Sequence, residues 1–111
     1  MNPMPTKAQL KALPGLYETE STPTEEKMVY LHFFCCMGGD WWITEFDPQR
    51  QEFFGFANLG DATNAEWGYI SFTELKALKV GPFQIEIETD RHFTPQPFGQ
   101  INHPSLEGML V

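Results

Sequence analysis

The run from Asp40 to Gly60, D-W-W-I-T-E-F-D-P-Q-R-Q-E-F-F-G-F-A-N-L-G, constrains the chain more than any other stretch. Trp41 to Phe46 reads as a strand, with Trp42, Thr44 and Phe46 on one side and Trp41, Ile43 and Glu45 on the other. Asp47-Pro48-Gln49-Arg50 is a turn, because proline presets φ at its second position. Gln51 to Asn58 returns as a strand, and Gly55 inside it marks a bulge or a close approach beneath a large neighbour. A hairpin with this many aromatics cannot stand in water alone, so the remaining elements must extend or cover it.

Three further segments alternate like strands. Lys27 to Phe34 sets Val29, Leu31 and Phe33 against Met28, Tyr30, His32 and Phe34, apolar on both sides. Glu66 to Ile70 is a short fourth strand, and Phe83 to Thr89 alternates Phe83, Ile85 and Ile87 with Gln84, Glu86 and Glu88. Two short helices are punctuated by caps. Thr6 with Gln9 opens the first, which ends at Pro14-Gly15; Ser71 with Glu74 opens the second, which closes at Gly81-Pro82. Met1 to Pro5 reads as a frayed leader. The expected fold is α+β: an antiparallel meander sheet of about five strands, with one helix N-terminal and one before the last strand, both on one face. Residues 6–95 form the single domain, and 96–111 read as an irregular or disordered tail.

Charge narrows the partners. A formal net charge of -8 and seven basic residues without a cluster argue against direct nucleic-acid binding. Cys35 and Cys36 are adjacent, so in an extended segment they face opposite ways and read as a reduced pair. The three histidines are scattered along the sequence, so neither a metal nor another cofactor is expected. No signal pattern or long apolar run is present, which predicts a cytoplasmic protein without a membrane partner.

Several short blocks occur in a familiar order. They are Leu13-Pro14 followed by Leu16-Tyr17, the aromatic run Tyr30 to Phe34, W-x-T-E-F-D at Trp42 to Asp47, and F-F-G at Phe53 to Gly55. E-x-G-Y-I-S at Glu66 to Ser71, Glu74-Leu75, and I-E-x-D-x-x-F-x-P at Ile87 to Pro95 complete the series. Together they resemble a small bacterial family catalogued as domain of unknown function 2958. Cys35-Cys36 stands where family members more often carry Thr-Pro. The resemblance implies a plasmid or mobile-element setting, among genes for conjugation, plasmid upkeep and antirestriction, and it brings no catalytic residue.

Two kinds of chemistry are open to the residues. Carboxylates Glu45, Asp47, Glu66 and Asp90 could serve a small carboxylate- or metal-dependent hydrolase if the fold gathers them at one end of the sheet. Against this, Asp47 suits a turn, Glu66 a strand rim and Asp90 a strand end. The other reading is a binding face. With helices on one side of the sheet, Tyr30, His32, Trp41, Phe54 and Tyr69 form an aromatic patch on the other, ringed by acids. Such a face suits another protein, in particular a basic DNA-binding or defence protein that the acidic surface engages by imitating phosphate. The balance favours an acidic protein-interaction module over an enzyme.

Overall fold

The computed structural model describes residues 1–60 and 62–106. Among these residues nine strands are present: β1 (Met28–Val29), β2 (Leu31–Phe34), β3 (Asp40–Asp47), β4 (Glu52–Asn58), β5 (Glu66–Ser71), β6 (Lys79–Val80), β7 (Ile85–Glu86), β8 (Glu88–Thr89) and β9 (Gln96–Pro97). Helices α1 (Lys7–Ala12) and α2 (Phe72–Ala77) are each six residues long. The main sheet has five antiparallel strands in the order β5-β4-β3-β2-β8, an antiparallel meander closed on one edge by the late strand.

Both helices begin as their caps dictate. Thr6 and Gln9 form a reciprocal capping box, and the Ser71 side chain accepts from the Glu74 amide. Helix α2 stops earlier than its glycine–proline signal suggests, because Lys79–Val80 pairs with Ile85–Glu86 as a small separate ribbon. The same pairing breaks the long strand expected over Phe83 to Thr89. Phe83 projects into solvent at 82% exposure, and only Ile87 of that alternating set is fully buried.

One face of the sheet packs against the helices. Phe53 is completely buried there, with ring centroids of Phe46, Phe72 and Phe33 at 4.7, 4.9 and 5.5 Å. Such aromatic pairs contribute about 0.5–1.5 kcal/mol each beyond the area they bury. Met1 belongs to this core, and the leader is not frayed: the Asn2 amide donates to the Ile87 carbonyl and the Thr89 amide to the Pro3 carbonyl.

The second face carries its own cluster of Val29, Trp42, Phe56, Phe98 and Leu106. The supposed tail therefore belongs to the fold. β9 pairs with β1, Phe98 and Leu106 are 1% and 4% exposed, and the chain from Phe93 to Leu106 lies across Trp42. It is irregular in sequence pattern because its anchors, Phe93, Phe98, Ile101 and Leu106, are held by turns rather than by a periodic element. Residues 107–111, the rest of that expected tail, lie outside the described residues.

A register shift between Ile43 and Glu45 in β3 sets what each face displays. Thr44 is the extra residue, completely buried, its hydroxyl donating to the Phe54 carbonyl at 3.1 Å. Beyond it the alternation changes phase. Phe46 joins Trp41 and Ile43 in the helix-side core, whereas Glu45 turns to the face that bears Trp42, reversing the simple period-two expectation. Gly55 lies opposite: a Cβ there would stand 2.1 Å from the Trp42 carbonyl oxygen, so only glycine permits this approach.

Candidate functional site

Two polar constellations occupy opposite ends of the second face. The first is built around Glu45, which is 3% exposed. Its carboxylate accepts from the backbone amides of Tyr17 and Thr19 at 2.9 and 3.0 Å, and from the Thr19 hydroxyl. Lys27, also buried, donates through Nζ to the Thr19 carbonyl. Glu45 thus fastens the loop after α1 to the sheet, and that loop brings Tyr17 over the face. Tyr17 sits at φ 73°, a left-handed conformation that costs a non-glycine residue of order 1 kcal/mol or more, sustained here by the hydrogen bond its amide donates to Glu45.

Four aromatic rings meet above that anchor. Phe54 stacks with Trp67 at 5.9 Å and meets Tyr69 edge-on at 5.2 Å, and Tyr69 meets Tyr17 at 6.2 Å. With Glu20, Thr24, Lys27 and Glu45 they line an open cleft of about 340 Å³. Tyr17 and Tyr69 are 53% and 54% exposed, and β5, which supplies Trp67 and Tyr69, is an edge strand. The Tyr69 hydroxyl titrates above its ordinary range. Loss of solvent is the main cause, followed by the Tyr17 hydroxyl and the negative charges of Glu20 and Glu45. The cleft resists a further negative charge.

The second constellation centres on His32. Its ring lies 3.8 Å from that of Trp42 and nearly parallel, a consequence of their direct cross-strand pairing. Nδ1 is 2.9 Å from Asp90 Oδ2, and Nε2 is 2.7 Å from Asp40 Oδ1. His103 Nε2 stands 3.8 Å from the same Asp40 oxygen. Asp40 opens β3, Asp90 follows β8, and His103 precedes the turn at Pro104–Leu106, so four separated segments converge. The Asp90 carboxyl is raised by burial, but the His32 hydrogen bond, the His92 amide and the charges of both histidines outweigh that and hold it below its usual range. The Trp42 indole nitrogen, beneath this ring, is buried without a hydrogen-bond partner.

The four carboxylates considered for hydrolysis serve different tasks. Glu45 anchors the Tyr17 loop, Asp47 accepts from the Gln49 and Arg50 amides in its turn, Glu66 is exposed at the start of β5, and Asp90 orients His32. Of the five residues expected on a binding face, Phe54 and Tyr69 share the aromatic cleft and His32 lies in the other constellation. Trp41 is in the helix-side core, and Tyr30 packs against it. Sequence reasoning missed Trp67, although its spacing from Tyr69 puts both on one face. It also missed Asp40, at the mouth of the hairpin, and His103, hidden in the supposed tail.

A family model described as a protein of unknown function (DUF2958) matches residues 6–99. The chain belongs to that family. No curated protein and no solved structure matches the chain. The matched span of this DUF2958 member includes the whole aromatic cleft and His32, Asp40 and Asp90 of the second constellation; His103 lies beyond it. Cys35 is buried and Cys36 exposed, both as free thiols. Among the described residues, no helix is long and apolar enough to cross a membrane.

Proposed function

We propose that this DUF2958 member is a protein-interaction module that receives a cationic side chain of a basic partner between Tyr17, Phe54, Trp67 and Tyr69. The observation that carries the reading is the contiguous, solvent-open group of four rings beside two carboxylates. Aromatic faces attract Lys and Arg heads, by about 0.5–2 kcal/mol depending on desolvation. A net charge of -8 adds long-range attraction for a basic protein. Large rings in the centre with acids at the rim are a common arrangement of interface anchors. The partner belongs, in this reading, to the cytoplasmic setting of a mobile element, as a basic DNA-binding or defence protein.

The test is a nitrogen-15 NMR titration with short Arg-rich and Lys-rich peptides, with a Glu-rich peptide as control. Saturable shifts are expected at Tyr17, Phe54, Trp67 and Tyr69, weakened by salt and abolished by Tyr69→Ala with Trp67→Ala. Shifts spread over the acidic surface without focus, or unchanged in the double variant, would sink the proposal.

A further inference from the structure

We propose that His32, Asp40 and His103 form a binding site for one divalent transition-metal ion, with Asp90 as the outer carboxylate that orients His32. One ligand atom from each of the three residues can be chosen so that all lie within 4.8 Å of one another. The individual separations to Asp40 Oδ1 are 2.7 Å from His32 Nε2 and 3.8 Å from His103 Nε2. Nitrogen and oxygen ligands bound at zinc-like distances in a tetrahedron stand about 3.4 Å apart. The observed spread brackets that value, so small side-chain adjustments on half-buried Asp40 and His103 would close the set.

The surroundings of His32 favour ligation. A metal-binding imidazole characteristically gives its other nitrogen to a carboxylate, which fixes the ring and strengthens the ligand. Asp90 occupies that position on Nδ1, leaving Nε2 directed at Asp40, with the His103 ring alongside at 5.4 Å between centroids. Stacking on Trp42 holds the ring plane as well. Both histidine rings and both aspartates border an open cleft of about 410 Å³, giving an ion a path inward and solvent access to its remaining positions. Two imidazoles and one carboxylate select zinc, cobalt, nickel or iron over magnesium and calcium, which prefer oxygen ligands. Binding replaces any proton on His32 Nε2 and the hydrogen bond it makes to Asp40, and that proton passes to solvent.

The test uses the full chain stripped with a chelator and titrated with Zn²⁺ and Co²⁺, followed by calorimetry and visible absorption. One ion per chain is expected, with cobalt absorption typical of low coordination by nitrogen and oxygen, and no competition from excess Mg²⁺. His103→Ala should abolish saturable binding while near-ultraviolet circular dichroism stays native. Asp90→Asn should weaken binding by about 10–100-fold. Should the histidine variant fail to fold, the wild-type chain decides alone through its imidazole nitrogen resonances. Zn²⁺ must shift those of His32 and His103 and leave His92 unmoved. Absence of saturable binding, or shifts confined to His92, overturns the assignment.

Discussion

Glu45 and His32 are both buried polar residues on the same face of one sheet, yet their partners differ in kind. Glu45 is satisfied by two backbone amides and a hydroxyl from a single loop, all fixed by the course of the chain. His32 is satisfied by side-chain carboxylates from two different segments, with a second histidine alongside. A carboxylate surrounded by backbone donors has its capacity committed and acts as a fastening. A ring held by side-chain carboxylates can exchange one of those bonds for another electrophile without unfolding anything. The contrast separates an architectural acid from a chemically available ring, although each is an ionisable residue buried in an aromatic strand.

The sharpest way to break this contrast is to remove the bulge geometry that puts Glu45 on its face. Gly55→Ala forces a methyl group against the Trp42 carbonyl, a backbone atom that cannot rotate away. The expected loss is about 4 kcal/mol or more, at the upper end of overpacking effects, read as a collapse of the urea midpoint or failure to fold. Next comes Glu45→Ala, which leaves the Tyr17 and Thr19 amides and the Thr19 hydroxyl without their acceptor. We expect a loss of about 3 kcal/mol and faster amide exchange at Tyr17 and Thr19. A loss below about 1 kcal/mol would mean that solvent replaces the carboxylate easily and that the loop is not fastened by it.

The corresponding change on the other side should be milder. Asp90→Asn keeps an acceptor for His32 and occupies a side chain that is 28% exposed, so about 1 kcal/mol of stability is expected to go in urea unfolding. If it proves as costly as Glu45→Ala, the two constellations are equally architectural and the distinction fails. Tyr17→Gly sharpens it from another direction. Glycine relieves the left-handed backbone at φ 73° while retaining the amide that reaches Glu45. Stability should change by under about 1 kcal/mol, the entropy of glycine offsetting the relief. Peptide-induced shifts at Tyr69 should nevertheless diminish, since the ring beside it is gone.

What could be read from sequence follows the range of the interactions involved. Caps, turns and strand alternation are local, so Thr6, Ser71, Asp47 and the meander were legible, as was the need for a special neighbour at Gly55. The phase change at Thr44 was not, because a bulge depends on the partner strand, and it moved Glu45 and Phe46 to opposite faces from those expected. The His32 constellation was illegible for the same reason at greater range. Its members lie at positions 32, 40, 90 and 103, joined only after β8 pairs with β2 and Leu106 docks under the aromatic cluster. Proline spacing made the last segment look unstructured, when a few buried rings suffice to hold it.

The smallest effect belongs to an exposed group and calibrates both buried ones. The hydrogen bond from Lys79 at 3.1 Å is the leading cause that holds the Glu86 carboxyl below its ordinary range, followed by that from the N-terminal ammonium and then by both positive charges. A carboxyl with a depressed folded-state pKa contributes stability that is present above its unfolded value and is lost as pH falls through the folded one. Acid unfolding of the wild type should therefore steepen below the ordinary glutamate range, and Glu86→Gln should flatten that part of the curve. Because the pair stands in water, added salt should erase most of the difference between the two proteins. Salt should leave the cost of Glu45→Ala almost unchanged, since those bonds are shielded from ions. A Glu45 penalty that fell with salt as the Glu86 effect does would place both carboxylates in the same solvent-screened class and remove the basis for calling one of them a fastening.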